Sequence, residues 1–378
     1  MSDELWRRGA GDLAEMIRSG AVSSAEVVDA HLQRIEQVNP QLNAVVTVLA
    51  DEARRAAKQA DERTANGGEL GPLHGVPVTI KENVDVAGTP TTQGVVAMGE
   101  AIAPVDAPLV SRLRAAGAIV IGRTNLPDMG LRVSTDSSLR GLTRNPWHPE
   151  RTAGGSSGGE ASAIAAGMSP LGVGNDIGGS LRNPAHCCGI SSIKPTTGRI
   201  PHATVIPPED GSLAFQLMAV NGSMARDVAD VRLGLEIMSG PDRRDPASLP
   251  VPLSFPDSGG PVRVALLAAP PGGSTDATVS EVVRQAGAHL AAAGYQVDEV
   301  TPPDYELAIE LWHGFLFTEL HTLRPVLSEI MGADGLRFLN VVLDSEPSLD
   351  VGAYVELFAR RRALARAWGE FFETHPVI

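Results

Sequence analysis

Between Gly154 and Gly189 the chain reads GGSSGGEASAIAAGMSPLGVGNDIGGSLRNPAHCCG, with two glycine-clasped serine sites on either side of a short apolar segment. Glycine costs conformational entropy wherever its freedom goes unused, so two dense clusters this close mark places where the backbone must approach something closely or turn sharply. The first cluster is Gly155-Ser156-Ser157-Gly158 and the second is Gly178-Gly179-Ser180. A serine between glycines is sterically open to attack a substrate, and consecutive backbone N–H groups beside it can converge on a developing oxyanion. Both clusters read as parts of one active site that the rest of the chain supports.

The flanking pattern is α/β. Residues 12 to 64 read as helical, with Ser24 as a cap, Val27, Val28, Leu32 and Ile35 on one face, and a break at Asn39-Pro40. The run Gly75-Val-Pro-Val-Thr-Ile-Lys81 is apolar, β-branched and bounded by Gly and Pro, which predicts a buried strand ending in Lys81. Asp106 is predicted to cap an amphipathic helix that runs through Leu109, Val110 and Leu113 to Gly117, and Ala118–Gly122 reads as the next buried strand. The polar stretch from Arg123 to Arg151 is long for a loop and reads as part of the site. A helix over 160–166 and a strand over 171–174 separate the two serine clusters. Further on, helices are predicted near 227–238, 276–293, 304–330 and 351–373, and strands at 262–267 and 295–300. Arg360, Arg361 and Arg362 fall on a solvated face. The connector from Gly240 to Pro261 reads equally well as a subdomain boundary or as a surface loop. Pro376-Val377-Ile378 resembles the start of a buried strand without a continuation, so the sequence reads as part of a longer parent.

Composition excludes some classes. With 43% hydrophobic and 20% charged residues the 378-residue chain can bury a full core. A net charge of −14 argues against direct nucleic-acid binding, which calls for clustered Lys and Arg. The two cysteines, Cys187 and Cys188, are adjacent and poorly placed for a disulfide, which fits a reducing compartment, and no apolar run is long enough for a signal peptide or a membrane span. The chain therefore reads as cytoplasmic, with no membrane contact; a homodimer stays open.

Ser180 is the candidate nucleophile, with Ile177, Gly178 and Gly179 as oxyanion donors, and a serine hydroxyl needs a base to take its proton. The nine histidines form no Ser-His-Asp pattern. Lys81 is the other choice, because desolvation at the end of a buried strand lowers a lysine's pKa by as much as ~3–5 units. On the residues alone a plain glycine turn at Ser180, and a salt bridge from Lys81 to Glu82 or Asp85, stand beside these readings. Gly154-Gly-Ser156-Ser-Gly158 formally matches a G-x-S-x-G nucleophile elbow but lacks the apolar strand that must precede one. No phosphate-loop or metal-ligand spacing occurs.

Taken together, Val78-Thr-Ile-Lys-Glu-Asn-Val-Asp85, Gly154-Gly-Ser-Ser-Gly-Gly159, Asp176-Ile-Gly-Gly-Ser-Leu-Arg182 and Lys194-Pro-Thr-Thr-Gly-Arg199 closely resemble the amidase signature family, in the family's order and at similar intervals. The resemblance runs from about residue 12 to at least 201. It implies a single large α/β fold with a mixed central sheet covered by helices. Residues 1–378 would form one amidase domain, comprising a helical preface to about 70, a signature core over 71–201 and a truncated C-terminal α/β portion from 202. It also implies a Ser, cis-Ser, Lys triad of Ser180, Ser156 and Lys81, a cis bond between Gly155 and Ser156, and hydrolysis of a small amide without metal or organic cofactor. Asp176 and Arg182 would buttress the nucleophile loop, Ser157 would be a supporting hydrogen bonder, and Met129, Thr135 and Asp136 would line the acyl pocket. Asn175, where many members have Thr or Ser, and Ser191-Ser192 are departures expected to alter packing without touching the proton relay. The rival readings are the glutaminase component of a tRNA-dependent amidotransferase and a non-catalytic relative. Asp176-Ile-Gly-Gly-Ser180 and Pro127-Asp-Met-Gly-Leu-Arg132 differ from the amidotransferase wording.

Overall fold

The N-terminal preface folds as helices α1 (Ala10–Arg18), α2 (Ser24–Leu42) and α3 (Ala50–Ala65), with strand β1 (Val45–Val48) between the last two. Two expectations are corrected here. The cap of α2 is Ser23, because Glu26 reciprocates from three residues on and closes a capping box that Ser24 could not form. The helix also passes through Pro40. The Asn39 side chain then accepts from Ala44 N and Val45 N, each at 2.9 Å, and turns the chain directly into β1, a strand that the local pattern does not predict.

The computed structural model describes residues 2–206, 211–254 and 260–378. They divide into two compact units, Met1–Val251 with Pro325–Val341, and Pro252–Arg324 with Val342–Ile378. The division falls within the Gly240–Pro261 connector, of which residues 255–259 lie outside the described residues.

In the first unit the sheet is mixed, as the resemblance implies. Strands β2 (Pro77–Lys81) and β3 (Ile119–Thr124) are followed by the short hairpin β4 (Asp136–Ser137) and β5 (Gly141–Leu142), then β6 (Leu171–Asp176), β7 (Ser191–Ser192) and β8 (Val220–Ala225). The six-stranded order is β1-β3-β2-β6-β8-β7, parallel across β3, β2 and β6 and antiparallel elsewhere. Helix α4 (Pro108–Ala115) has Ala107 as its cap rather than Asp106, since Pro108 suits the first helical position. Asp106 accepts from Ala87 N at 2.8 Å and pairs with Arg114 instead.

Helices α5 (Gly158–Ala165) and α6 (Arg182–Cys188) flank the two serine clusters; α7 (Leu213–Met218) and α8 (Val228–Met238) follow. Val78 and Ile80 join an apolar cluster with Leu13 of α1, Leu109 of α4 and Val231 of α8. Strand alternation therefore turns Thr79 and Lys81 to the opposite face, towards α5. That face is held close to the sheet by glycine. A Cβ on Gly159 would lie 2.4 Å from Asn125 N and 2.5 Å from Asn125 O, and backbone cannot yield as a side-chain tip does. Gly159→Ala is expected to destabilise the protein by about 1–3 kcal/mol or more through overpacking. Urea titration checks this as a lowered midpoint with an unchanged slope.

The second unit is α/β again, as the sequence predicts. β9 (Arg263–Leu266) and β10 (Gln296–Glu299) pair in parallel, with α9 (Ala277–Ala292) between them in sequence. Ala265 N also donates to Val377 O at 2.8 Å, so Val377 lies beside β9. Three more helices complete the chain order, α10 (Tyr305–Ile330), α11 (Ala333–Ser345) and α12 (Val351–Thr374), of which Pro325–Val341 belongs to the first unit. Of these, α11 is not among the helices that the sequence pattern predicts. Arg361 and Arg362 are exposed, while Arg360 pairs with Glu310 through two 2.8 Å bonds. A cavity of about 300 Å³ in this unit is lined partly by Glu310, His313, Glu346 and Arg360. On its wall Glu310 pairs with Arg360, and His313 faces Glu346 at 3.1 Å.

Candidate active site

Because β2 and β6 are parallel neighbours, their C-terminal ends emerge at the same edge of the sheet, β2 delivering Lys81 and β6 delivering Asn175 and Asp176. Lys81 is wholly buried. Its Nζ donates to Ser156 Oγ at 2.8 Å, to Ser157 Oγ at 2.9 Å and to Asn175 Oδ1 at 2.7 Å. The salt-bridge alternatives are already occupied elsewhere. Glu82 pairs with Arg140 at 2.7 Å, and Asp85 accepts from Thr91, Thr204 and Val205 N. Burial pushes the Lys81 amine down to about 7, against the opposing pull of the Asp176 and Glu160 carboxylates. A buried Arg123 fastens the chain around it by donating to the carbonyls of Ile80, Lys81 and Val84.

Gly155 and Ser156 are joined by a cis peptide bond. Gly155 N donates to Asn183 Oδ1 at 3.0 Å, and the buried Thr135 hydroxyl donates to Gly154 O at 2.9 Å while accepting from Gly158 N at 3.0 Å. Thr135 thus braces this turn from inside. Asp136 presents its carbonyl to Arg132, and Met129, at φ 52°, precedes Gly130, whose Cα side faces the Ser156 hydroxyl. The second cluster is tied to the first by Ser157 N donating to Ser180 O at 3.2 Å. Ser180 is half-buried. Its hydroxyl and that of Ser156 are not joined by a hydrogen bond among the described residues.

Asp176 shapes the turn that carries Ser180. Its carboxylate accepts from Gly179 N at 2.8 Å, from Leu181 N at 2.9 Å and from Arg182 through Nη2 at 2.8 Å and Nε at 3.1 Å. Burial pushes this carboxyl up, but the Arg182 guanidinium and the two N–H groups outweigh it and hold it below its ordinary value. The bond to Asp176 removes Gly179 N from the expected oxyanion donors, while Gly178 and Ser180 remain on the turn and Ile177 sits half-buried at its head.

Two further residues are not evident from sequence. Asn175, expected to leave the relay untouched, contacts the Lys81 amine directly, because the register of β6 against β2 sets it there. Glu160 is buried on α5, accepting from Thr79 and, at 2.7 Å, from Thr124, and burial pushes it up to about 7. The alternating glycines of β6 are the sequence signal for the polar groups packed against this strand. A Cβ on Gly172 would meet the Glu160 carboxyl at 1.9 Å, and one on Gly174 would meet Ser157 Oγ at 2.6 Å. Glycine there leaves room for polar groups beside Lys81.

The amidase family profile matches residues 26–368. The chain belongs to the amidase signature family. Among curated proteins, this amidase is 47% identical over 375 residues to an indoleacetamide hydrolase of Bradyrhizobium diazoefficiens, covering 99% of this chain and 72% of the relative. It is 38% identical to the A component of the glutamyl-tRNA(Gln) amidotransferase of Symbiobacterium thermophilum, covering 87% of this chain and 66% of that one. Among solved structures, 6-aminohexanoate cyclic dimer hydrolase complexed with substrate superposes with a TM-score of 0.82 at 31% identity, covering 98% of this chain and 78% of that one. The amidase is an enzyme of amide C–N bond hydrolysis. Among the described residues no helix is long and apolar enough to cross a membrane.

Proposed function

We propose that this enzyme hydrolyses the primary amide of an aryl-substituted acetic acid, releasing ammonia and the carboxylate through an acyl-enzyme on Ser180. The observation that carries the reading is the buried Lys81 amine within 2.8 Å of the Ser156 hydroxyl. Neutral Lys81 takes the Ser156 proton as Ser156 takes the Ser180 proton, and Ser180 Oγ attacks the amide carbonyl. The oxyanion is received by N–H groups of the Gly178–Ser180 turn other than Gly179. Collapse breaks the C–N bond, and the proton held on Lys81 returns through Ser156 to the departing nitrogen. Water then enters, loses a proton along the same path and cleaves the ester. Asp176 and Arg182 hold the nucleophile turn in shape, and Ser157 supports the amine. All of these residues lie in the signature core. Two adjacent free cysteines, one of them buried, favour a cytoplasmic setting.

The substrate class rests on the 47% identity to indoleacetamide hydrolase over nearly the whole chain. The amidotransferase reading draws on the 38% relative and requires glutamine as the nitrogen source. Ammonia release from indoleacetamide, phenylacetamide, hexanamide and glutamine tests the choice. The expected result is a kcat/KM for the arylacetamides at least tenfold above that for hexanamide, with glutamine inert. Turnover of glutamine, appearing with an added amidotransferase partner, is the contrary outcome.

A further inference from the structure

The Lys81 amine has three hydrogen-bond partners, and counting hydrogens decides what each can do. As an ammonium, Nζ carries three N–H bonds and donates to all three acceptors. As the neutral base it carries two N–H bonds and one lone pair, so one contact must reverse and the partner must donate to nitrogen. Asn175 Oδ1, at 2.7 Å, is an amide oxygen and accepts only. Its orientation is set from the other end of the same amide, where Nδ2 donates to Asn83 Oδ1 at 2.9 Å. A flip would set oxygen against oxygen at Asn83 and turn an N–H onto the lone pair of neutral Lys81, in competition with Ser156, so the Asn83 contact is what holds the amide oxygen towards Nζ. The Ser157 hydroxyl directs its own hydrogen to the Asn175 backbone carbonyl at 3.4 Å, which leaves it an acceptor towards Nζ. Ser156 is the one partner of the three left to reverse.

We propose that Asn175 is a positioning residue that fixes the lone pair of neutral Lys81 on the Ser156 hydroxyl, directly through its side-chain oxygen and indirectly through its carbonyl and Ser157. The inference rests on the reading of Lys81 as base and deepens it. A Thr or Ser hydroxyl at this position could donate as well as accept, whereas the Asn carbonyl cannot, so this chain specifies the direction of the relay by side-chain chemistry. The charges acting on the amine are the carboxylates of Asp176 on β6 and Glu160 on α5; Arg123 on β3 is turned to the Lys81 carbonyl, Glu82 pairs with Arg140, Asp85 accepts from Thr91 and Thr204, and Arg182 on α6 and Lys194 act on Asp176.

The test reads Ser180 reactivity without needing the substrate. The rate at which a fluorophosphonate labels Ser180 is measured against pH in the folded full chain, for the wild type, Lys81→Met, Asn175→Asp, Asn175→Leu and Asn83→Leu. In the wild type, labelling should fall below pH 7 as the amine protonates, and Lys81→Met should abolish that limb. Asn175→Asp sets a carboxylate beside Nζ, favours the ammonium and should move the limb up by about 1–3 pH units, with labelling recovering at alkaline pH. Asn175→Leu removes an acceptor that favours the ammonium, so the limb should move down, while the unaimed lone pair slows labelling by about 10²-fold. Asn83→Leu leaves Asn175 in place but frees its amide to turn, and should slow labelling by a smaller factor. A Lys81-dependent limb that stays put in both Asn175 variants overturns the inference and leaves Lys81 as base. A wild-type profile shared by Lys81→Met overturns both.

Discussion

Ser180→Ala should lower kcat/KM by on the order of 10⁶-fold, since removing the nucleophile of a relay that acts as a unit costs about as much as removing the whole relay. The change deletes one oxygen from a half-buried position and leaves the carbonyl that accepts from Ser157 N, so the fold should be preserved. Hydrolysis of phenylacetamide followed by ammonia release checks the first statement, and an unchanged circular dichroism melting curve checks the second. Retained turnover in a folded variant would show that another group attacks the carbonyl. Ser156 is then the alternative, since it already touches the amine.

Lys81→Met comes second in size. General-base assistance is worth about 10²–10⁴-fold, so kcat/KM at pH 8 should drop by that factor, and the loss should shrink as the pH is lowered. The sign follows from the site. Burial depresses the amine to about 7, so the wild-type enzyme loses its base as pH falls through that value, by about tenfold per unit. The methionine variant has no such group to protonate, and its profile should be flat where the wild type falls. A uniform loss across pH 5 to 9 with the acid limb intact would assign Lys81 a structural part only.

The sequence disclosed the residues that meet at this site better than their wiring. The apolar run ending at Lys81, the glycine-flanked serines and the α/β order are all local patterns, written in neighbouring residues, and each is found where expected. What stayed hidden depends on pairing between distant segments. Asn175 touches Lys81 because Ile80 pairs with Val173 across two strands, a register fixed by the packing of both faces and by nothing adjacent to either residue. Gly179 has the look of an oxyanion donor in the sequence, but its amide ends on Asp176, a bond that exists only once the turn has closed. The cap of α2 differs by one residue for a local reason, the reciprocal Glu26, which is visible in the sequence.

The parallel pairing of β2 with β6 has a further implication. Successive residues along a strand face opposite sides, and each step advances about 3.3 Å. A slip of one residue between these strands would carry the amine out of reach of both serines and turn it towards the oily cluster under α1, α4 and α8. No intermediate setting gives partial chemistry. Turnover is thus a strict gauge of whether the middle of the sheet has assembled in its proper alignment, and refolding yields measured by activity count only molecules that have passed that check.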